Sequence, residues 1–290
     1  MKNETFHFKL GDFKCMAICD GFLAYGPPTF PPPGSFLFVN AQKEHLDLLL
    51  LKHNLKPDQW MEWVSPYICI VIETGKNQVL IDTGAGSLSS NTGKLLQNLQ
   101  NEEISPEAID TVILTHGHPD HIGGNTGSDN KLAFPNARFV MWKGEWDFWT
   151  SDLSDLKGDE HIKQFLASCA HRNLTPIRNQ LYLVDHEMEI VPGIHAITAP
   201  GHTPGHMAVA ISSMNENLLC VSDAVLHPIH VEQPDWYALT DLNPQQVATT
   251  RYRLFKLATD KKTLIHAYHF SFPGFGQLVR KEEGWQWKPI

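Results

Sequence analysis

A short apolar run, Ile109–Thr115, leads directly into Thr115-His116-Gly117-His118-Pro119-Asp120-His121. This junction constrains the fold more than any other stretch. A buried strand must end where metal donors begin, which puts those donors at the edge of a sheet. Residues two apart in an extended chain project to one side, so His116 and His118 can share one cation. Pro119 biases His118 towards extended backbone. The chain then turns, and Asp120 and His121 can reach a second point nearby. Imidazole and carboxylate suit zinc, manganese or iron, and no thiolate is present to select a softer ion. A merely polar loop rich in histidine would rarely place four such donors in six positions after a buried strand.

The rest of the chain supplies strands and helices around that edge. Phe6–Leu10, Phe13–Ile18, Tyr67–Glu73, Val79–Asp82 and Arg138–Trp142 read as strands in the first half. Leu181–Val184, His195–Ala199, Met207–Ser212, Leu218–Ser222 and Leu264–Ala267 follow in the second. Helices are expected over 42–54, 92–100, Asp159–His171 and Pro244–Thr259, the last with Asn243 as N-cap and proline at its first position. Strands alternating with helices in both halves predict α/β layers. One unit of two similar halves, residues 1–290, is expected. A proline-rich arm or lid occupies about 26–65, where Pro27, Pro28, Pro31, Pro32 and Pro33 exclude helix and central strand. Nothing in the sequence decides between a dimer arm and a pocket lid.

Composition narrows the partners. Among 290 residues, 23 Lys+Arg face 32 Asp+Glu, a net charge of -9. Phosphate neutralisation needs a basic face, so nucleic acid and anionic membrane surfaces are not expected partners. No apolar run approaches membrane-spanning length, and Met1–Leu10 shows no secretory signal. Five scattered cysteines without a C-x-x-C pair fit reduced thiols in a cytoplasm.

Three further positions share the context of the first motif. His202 lies in Gly201-His202-Thr203-Pro204-Gly205-His206, Asp223 follows the strand Leu218–Ser222, and His269 lies just beyond Leu264–Ala267. Each is weak alone, but all sit at the ends of short apolar strands, where ligand sites of α/β sheets assemble.

At these residues the sequence resembles the metallo-β-lactamase superfamily, and within it the lactonase and methyl-parathion-hydrolase branch. The His116–His121 motif, the His202 loop, Ser222-Asp223 and Tyr268-His269 occur in the family's order, after Leu80-Ile81-Asp82-Thr83-Gly84. Phe134-Pro135-Asn136-Ala137-Arg138, Glu145-Trp146-Asp147 and His269-Phe270-Ser271-Phe272-Pro273-Gly274 suggest the branch. The resemblance implies a four-layer αβ/βα sandwich of two mixed sheets with two divalent ions at one edge, zinc before manganese or iron. His116, His118 and His202 would hold one ion, Asp120, His121 and His269 the other, and Asp223 would bridge them. Asp82 would support the ligands from behind. An aspartate at 223, where class B β-lactamases carry cysteine or serine, turns the reading away from antibiotic hydrolysis. Two departures stand out. Gly117 is smaller than is usual between the two histidines and is expected to widen the approach to the metals. No tyrosine matches the one that helps bind the carbonyl oxygen in some lactonases.

The implied chemistry follows from charge. Two divalent ions, two carboxylates (Asp120 and Asp223) and one bridging hydroxide leave a centre of about +1, suited to attack by that hydroxide on a small neutral ester, lactone or phosphotriester. Asp120 could carry the proton to the leaving group. Trp146, Trp149, His227, Phe270 and Phe272 are the candidate pocket wall, with core packing as the alternative for the aromatics and a surface place for His227. His230 is expected at the pocket or the surface, and His206 behind the loop of His202. The alternative is a mononuclear iron oxidoreductase, sulfur dioxygenase-like, on the same scaffold; it should lack a complete second donor set. A flavodiiron protein needs a flavin domain for which the chain has no room, and a tRNA-processing nuclease needs a basic arm. A binding protein with a decayed site would not keep seven donors. A homodimer is compatible with the arm.

Overall fold

The computed structural model describes residues 4–127, 129, 131–153, 156, 160–282 and 284–290. Two seven-stranded mixed sheets lie face to face. The first runs β1 (Thr5–Leu10), β2 (Phe13–Tyr25), β3 (Trp63–Glu73), β4 (Gln78–Ile81), β5 (Thr111–Ile113), β6 (Arg138–Trp142), β7 (Leu181–Val184). The second runs from β8 (Met188–Val191) through β9 (Ile194–Thr198), β10 (Met207–Ser213), β11 (Glu216–Cys220), β12 (Leu264–His266) and β13 (Phe275–Arg280) to β14 (Trp285–Pro289).

Each sheet keeps its strands in chain order, and most neighbours are antiparallel. Parallel pairs need crossovers, and the helices supply them. β4 to β5 passes through α3 (Leu95–Asn101), and β5 to β6 through the one-turn α4 (Pro119–Ile122). β6 to β7 passes through α5 (Lys143–Thr150) and α6 (Glu160–Leu174). β11 to β12 passes through α7 (Pro228–Glu232) and α8 (Pro244–Asp260). Asn243 caps α8 as expected, its side chain accepting from Gln246 N at 3.1 Å.

The period-two alternation of the strands sorts the core into layers. Ile68, Ile70 and Ile72 of β3 meet Val209 and Ile211 of β10 between the sheets. Tyr67, Cys69 and Val71 face the other way, onto Leu95 and Leu99 of α3 and Leu174 of α6. Behind the second sheet, Ala208, Leu219 and Ile265 pack on Leu254, Phe255 and Ala258 of α8. Full burial of a Leu or Phe contributes about 1.5–3 kcal/mol, so the Leu254–Phe255 pair alone anchors α8 firmly. The result is the expected αβ/βα order of layers.

Several boundaries differ from the sequence reading. β2 does not stop at Ile18 but continues to Tyr25. Asp20-Gly21 forms a bulge, with the pairing to β3 shifting register between Cys19 and Gly21. Gly21, at φ +134°, allows that extra residue. The helix expected over 42–54 is α2 (Lys43–Lys52). Pro33, one of the prolines expected to exclude helix, instead opens the short α1 (Pro33–Leu37), because proline is tolerated at a first helical position. Asp159, the expected start of α6, lies outside the described residues. β8, α7 and the C-terminal hairpin β13–β14 had no counterpart in the reading.

The arm folds back. Phe36, Leu37 and Phe38 of α1 and its exit, with Leu49 and Leu50 of α2, form one apolar cluster with Trp63, Leu226, Ile229 and Trp236. Leu226 and Ile229 belong to the segment that follows Asp223. The arm therefore packs beside the sheet edge at which the donor-bearing strands end.

Candidate metal centre

Four strand ends deliver the donors. His116 to His121 follow β5, His202 follows β9, Asp223 follows β11 and His269 follows β12. The structure gathers them into two groups. The donor atoms of His116, His118, His202 and Asp223 lie within 4.8 Å of one another, as do those of Asp120, His121 and His269. His118 Nδ1 is 3.0 Å from His116 Nε2 and 2.9 Å from His202 Nε2. Asp223 faces both groups. Its Oδ2 is 3.3 Å from His202 Nε2, and its Oδ1 is 3.1 Å from both His121 Nε2 and His269 Nε2. Asp120 Oδ2 stands 3.6 Å from His269 Nε2 and 3.8 Å from His121 Nε2.

The back side of each ring shows which nitrogen carries the lone pair. His121 Nδ1 donates to Asp82 Oδ2 at 2.8 Å, and His202 Nδ1 donates to Asp241 Oδ1 at 2.8 Å. His269 Nδ1 donates to the Pro66 carbonyl at 3.2 Å, with Ser65 Oγ at 2.8 Å. With the proton fixed on Nδ1, Nε2 of all three rings points its lone pair into the cluster. Asp82, in left-handed backbone at φ +58°, also accepts from the Thr115 amide and hydroxyl, each at 2.8 Å. His206 supports the loop of His202 and ties it to Asp223: its Nδ1 donates to Ala199 O at the start of the loop, and its Nε2 accepts the Asp223 amide at 3.1 Å.

The donor set fits a pair of cations. His121 Nε2 and Asp223 Oδ1 are buried at the centre of the cluster without a hydrogen-bond partner, a costly arrangement unless a ligand completes it. Burial pushes the His116 and His118 rings well below their usual range, keeping them neutral and able to ligate. At His121 burial acts the same way, but Asp223, Asp82 and Asp120 overcome it and raise the ring well above its usual value. That negative well is one a cation fills by displacing a proton.

Some residues here escaped the sequence reading. Glu145, at the first turn of α5, is fully buried and accepts four hydrogen bonds: from Gly117 N (2.8 Å), Trp149 Nε1 (2.6 Å), Thr203 Oγ1 (2.7 Å) and Gly205 N (2.9 Å). Asp241 orients His202 and meets the buried Arg251, whose Nε also donates to the Ala224 carbonyl beside Asp223. Tyr25 and Tyr67 join hydroxyls at 2.9 Å, with the Tyr67 ring 5.6 Å from that of His269. Two tyrosines thus reach the site from β2 and β3, although no motif matched one. Only Glu145 lay within a quoted motif; the others have no fixed spacing from any donor.

The expected pocket residues divide. His227 caps α7 and lies beside Trp60 and Phe38 of the arm, with ring centroids 5.7 and 5.5 Å away. Trp149 is buried with its ring 5.4 Å from that of His118. It fills the space beside Gly117, where a Cβ would stand 2.3 Å from its Cδ1; the glycine therefore admits an indole and does not widen the approach. Trp146 is half-buried against the core under the first sheet. Phe270 packs edge-on to Trp287 behind the second sheet, and Phe272 packs against the residues between the sheets. Both phenylalanines are core packing because the chain turns inward after His269. His230 is buried, its Nε2 donating to the Leu37 carbonyl at 2.8 Å, so the surface expectation does not hold.

Comparison with known proteins agrees with this geometry. The family model of the metallo-beta-lactamase superfamily matches residues 65–269. An N-acyl homoserine lactonase from a Bacillus species is 26% identical over 196 residues, 61% of this chain and 69% of its own. The N-acyl homoserine lactonase of Bacillus thuringiensis is 23% identical over 253 residues, covering 80% and 91%. Among solved structures, AidC, a dizinc quorum-quenching lactonase holding its product N-hexanoyl-L-homoserine, superposes with a TM-score of 0.89 at 28% identity, over 99% of this chain and 97% of that one. The hydrolase AbOPH gives 0.87 at 25% identity with the same coverage.

Proposed function

The chain belongs to the metallo-β-lactamase superfamily, and from that premise we propose that it opens a neutral lactone carrying an apolar arm. It is a metal-dependent hydrolase with a dinuclear centre. The proposed occupants are two zinc ions. His116, His118 and His202 would hold one, Asp120, His121 and His269 the other, and Asp223 both. Such ions polarise a carbonyl and bring the pKa of a water near about 7.

The carrying observation is Asp223, whose carboxylate stands between the two donor groups: Oδ2 lies 3.3 Å from His202 Nε2 and 3.2 Å from His269 Nε2, and Oδ1 lies 3.1 Å from His121 Nε2. The complete second group also disfavours the single-iron oxidoreductase. Asp120, itself a member of the second group and 9% exposed, is also the residue to which we assign the proton that the leaving alkoxide needs. Residues 26–65 act as a lid in this reading. Trp63 lies 5.9 Å from the His269 ring, and Phe38 and Trp60 flank His227, so water is excluded and an apolar substituent is favoured. The outward-facing Leu48 and Leu51 of α2 support a homodimer through the same segment. Five free cysteines, four of them buried, support a reducing cytoplasm. No helix among the described residues is long and apolar enough to cross a membrane.

The test combines elemental analysis with turnover of acyl lactones, aryl esters and phosphotriesters. Two equivalents of zinc, and ring opening that improves with acyl length, are the expected result. One equivalent of iron with oxygen consumption would replace this reading by the oxidoreductase.

A further inference from the structure

The three histidines of the first donor group come from two distant segments. His116 and His118 follow β5, whereas His202 follows β9 in the opposite sheet. Their relative placement must be set to a few tenths of an ångström if they are to share one ion. The imidazoles alone do not set it, because each is oriented from its own side.

We propose that Glu145 is the positioning residue that locks these two segments together and so governs occupancy of the first metal position in preference to the second. One oxygen, Oε1, accepts from the amide of Gly117, the residue between His116 and His118, at 2.8 Å. The other, Oε2, accepts from Thr203 Oγ1 at 2.7 Å and the Gly205 amide at 2.9 Å, just after His202. Trp149 Nε1 completes the set at 2.6 Å on Oε1, and its ring packs against His118. Every donor is short and the carboxylate is fully buried, so both oxygens are committed and neither faces a substrate.

The chemistry requires a carboxylate. The four donors converge on two oxygens, and two of the donors are backbone amides, one on each oxygen. A glutamine has one acceptor oxygen. Whichever way its amide turns, the NH2 meets a backbone N–H and leaves that amide unsatisfied. Among the described residues nothing comparable links Glu145 to the second group. His121 is held by Asp82, and His269 by Pro66 and Ser65. The effect of Glu145 is therefore confined to one ion.

The inference rests on the two-ion reading, and the experiment separates the two. Wild-type protein and Glu145→Gln are loaded with zinc, and release to a chromophoric chelator is followed. The same proteins loaded with cobalt(II) report each position by its absorption bands. Wild type should hold two equivalents. In Glu145→Gln one equivalent should bind about 10–100-fold more weakly, with one set of cobalt bands altered and the other unchanged. Thr203→Val and Trp149→Phe, which each remove a single donor, should shift the same equivalent by less, and they carry the test if Glu145→Gln does not fold. Leu99→Ala, a core cavity under the first sheet, controls for lost stability and should weaken neither equivalent selectively. Equal weakening of both equivalents, or of neither, overturns the proposal. Wild type that takes only one ion sinks the two-ion reading instead; Glu145 then keeps its role only if Glu145→Gln weakens that ion.

Discussion

Asp241 shows how a single carboxylate can act on two charges at once. Its Oδ1 accepts from His202 Nδ1, while its Oδ2 accepts the Ala238 amide at 2.8 Å and faces Arg251. Arg251 is fully buried and otherwise donates to backbone carbonyls of Ala224, Pro234 and Trp236. Asp241→Asn should therefore do two things. The ring of His202 loses its anionic partner, which should cost roughly 10–100-fold in affinity for one ion. Arg251 is left without an anion, and removing one member of a buried pair costs about 3–5 kcal/mol. Chelator competition reads the first effect and thermal unfolding the second. An Asn variant with wild-type metal affinity would show that the aspartate only supports Arg251. This residue also marks the limit of the sequence reading. The donors were legible because H-x-H-x-D-H follows a strand and the remaining three sit at strand ends. Asp241 is 39 residues from His202, and Ser65 is 204 from His269, so only the fold brings each pair together.

At the level of elements, the arm is joined to the site by a latch. Lys52 and His53, at the end of α2, both reach Glu232 at the end of α7, at 2.7 and 2.9 Å. Burial pushes the Glu232 carboxyl up, but its bonds to His53 and Lys52 outweigh it and hold the group below the usual range. A depressed carboxylate stabilises the fold fully above its unfolded pKa and loses that contribution as pH falls through the folded value. Acidification below about pH 4.5 should therefore release α2 before the sheets unfold. Amide exchange over residues 43–52, corrected for intrinsic rate, should rise at low pH. In Glu232→Gln it should already be about 1.5–5-fold faster at pH 7, as expected for a part-exposed ion pair, and should lose its dependence on acid. Protection of α2 that ignores both changes would mean that the apolar cluster alone holds the arm. The sequence showed α2 and the proline run but not this contact. Glu232 sits in α7, a helix of five residues that is too short to leave a periodic signature. The bulge at Asp20-Gly21 was hidden differently, because a polar residue before glycine looks like a turn until the partner strand is known.

Across the whole molecule, the two sheets have separate helices and share one inner layer. The donors close the sandwich at one edge. Those from His116 to His121 belong to the first sheet, and His202, Asp223 and His269 to the second. Each donor group contains residues from both, so a cation held by either group would cross-link the sheets, and its binding energy would become folding energy. The same closure has a cost when no cation is bound, because His121 Nε2 and Asp223 Oδ1 are then buried without partners. A ligand held at a thousand times its dissociation constant stabilises by about 4 kcal/mol. At roughly 2–4 °C per kcal/mol for a chain of this class, stripping one ion should lower the unfolding midpoint by about 8–16 °C, and stripping both should lower it further. The loss should be reversed by zinc and should be largest in amide protection at the ends of β5, β9, β11 and β12, whereas the far ends of the same strands change little. A midpoint that does not move when the metal is removed would mean that the inner apolar layer closes the sandwich unaided. The donors would then be bound by the fold without contributing to it.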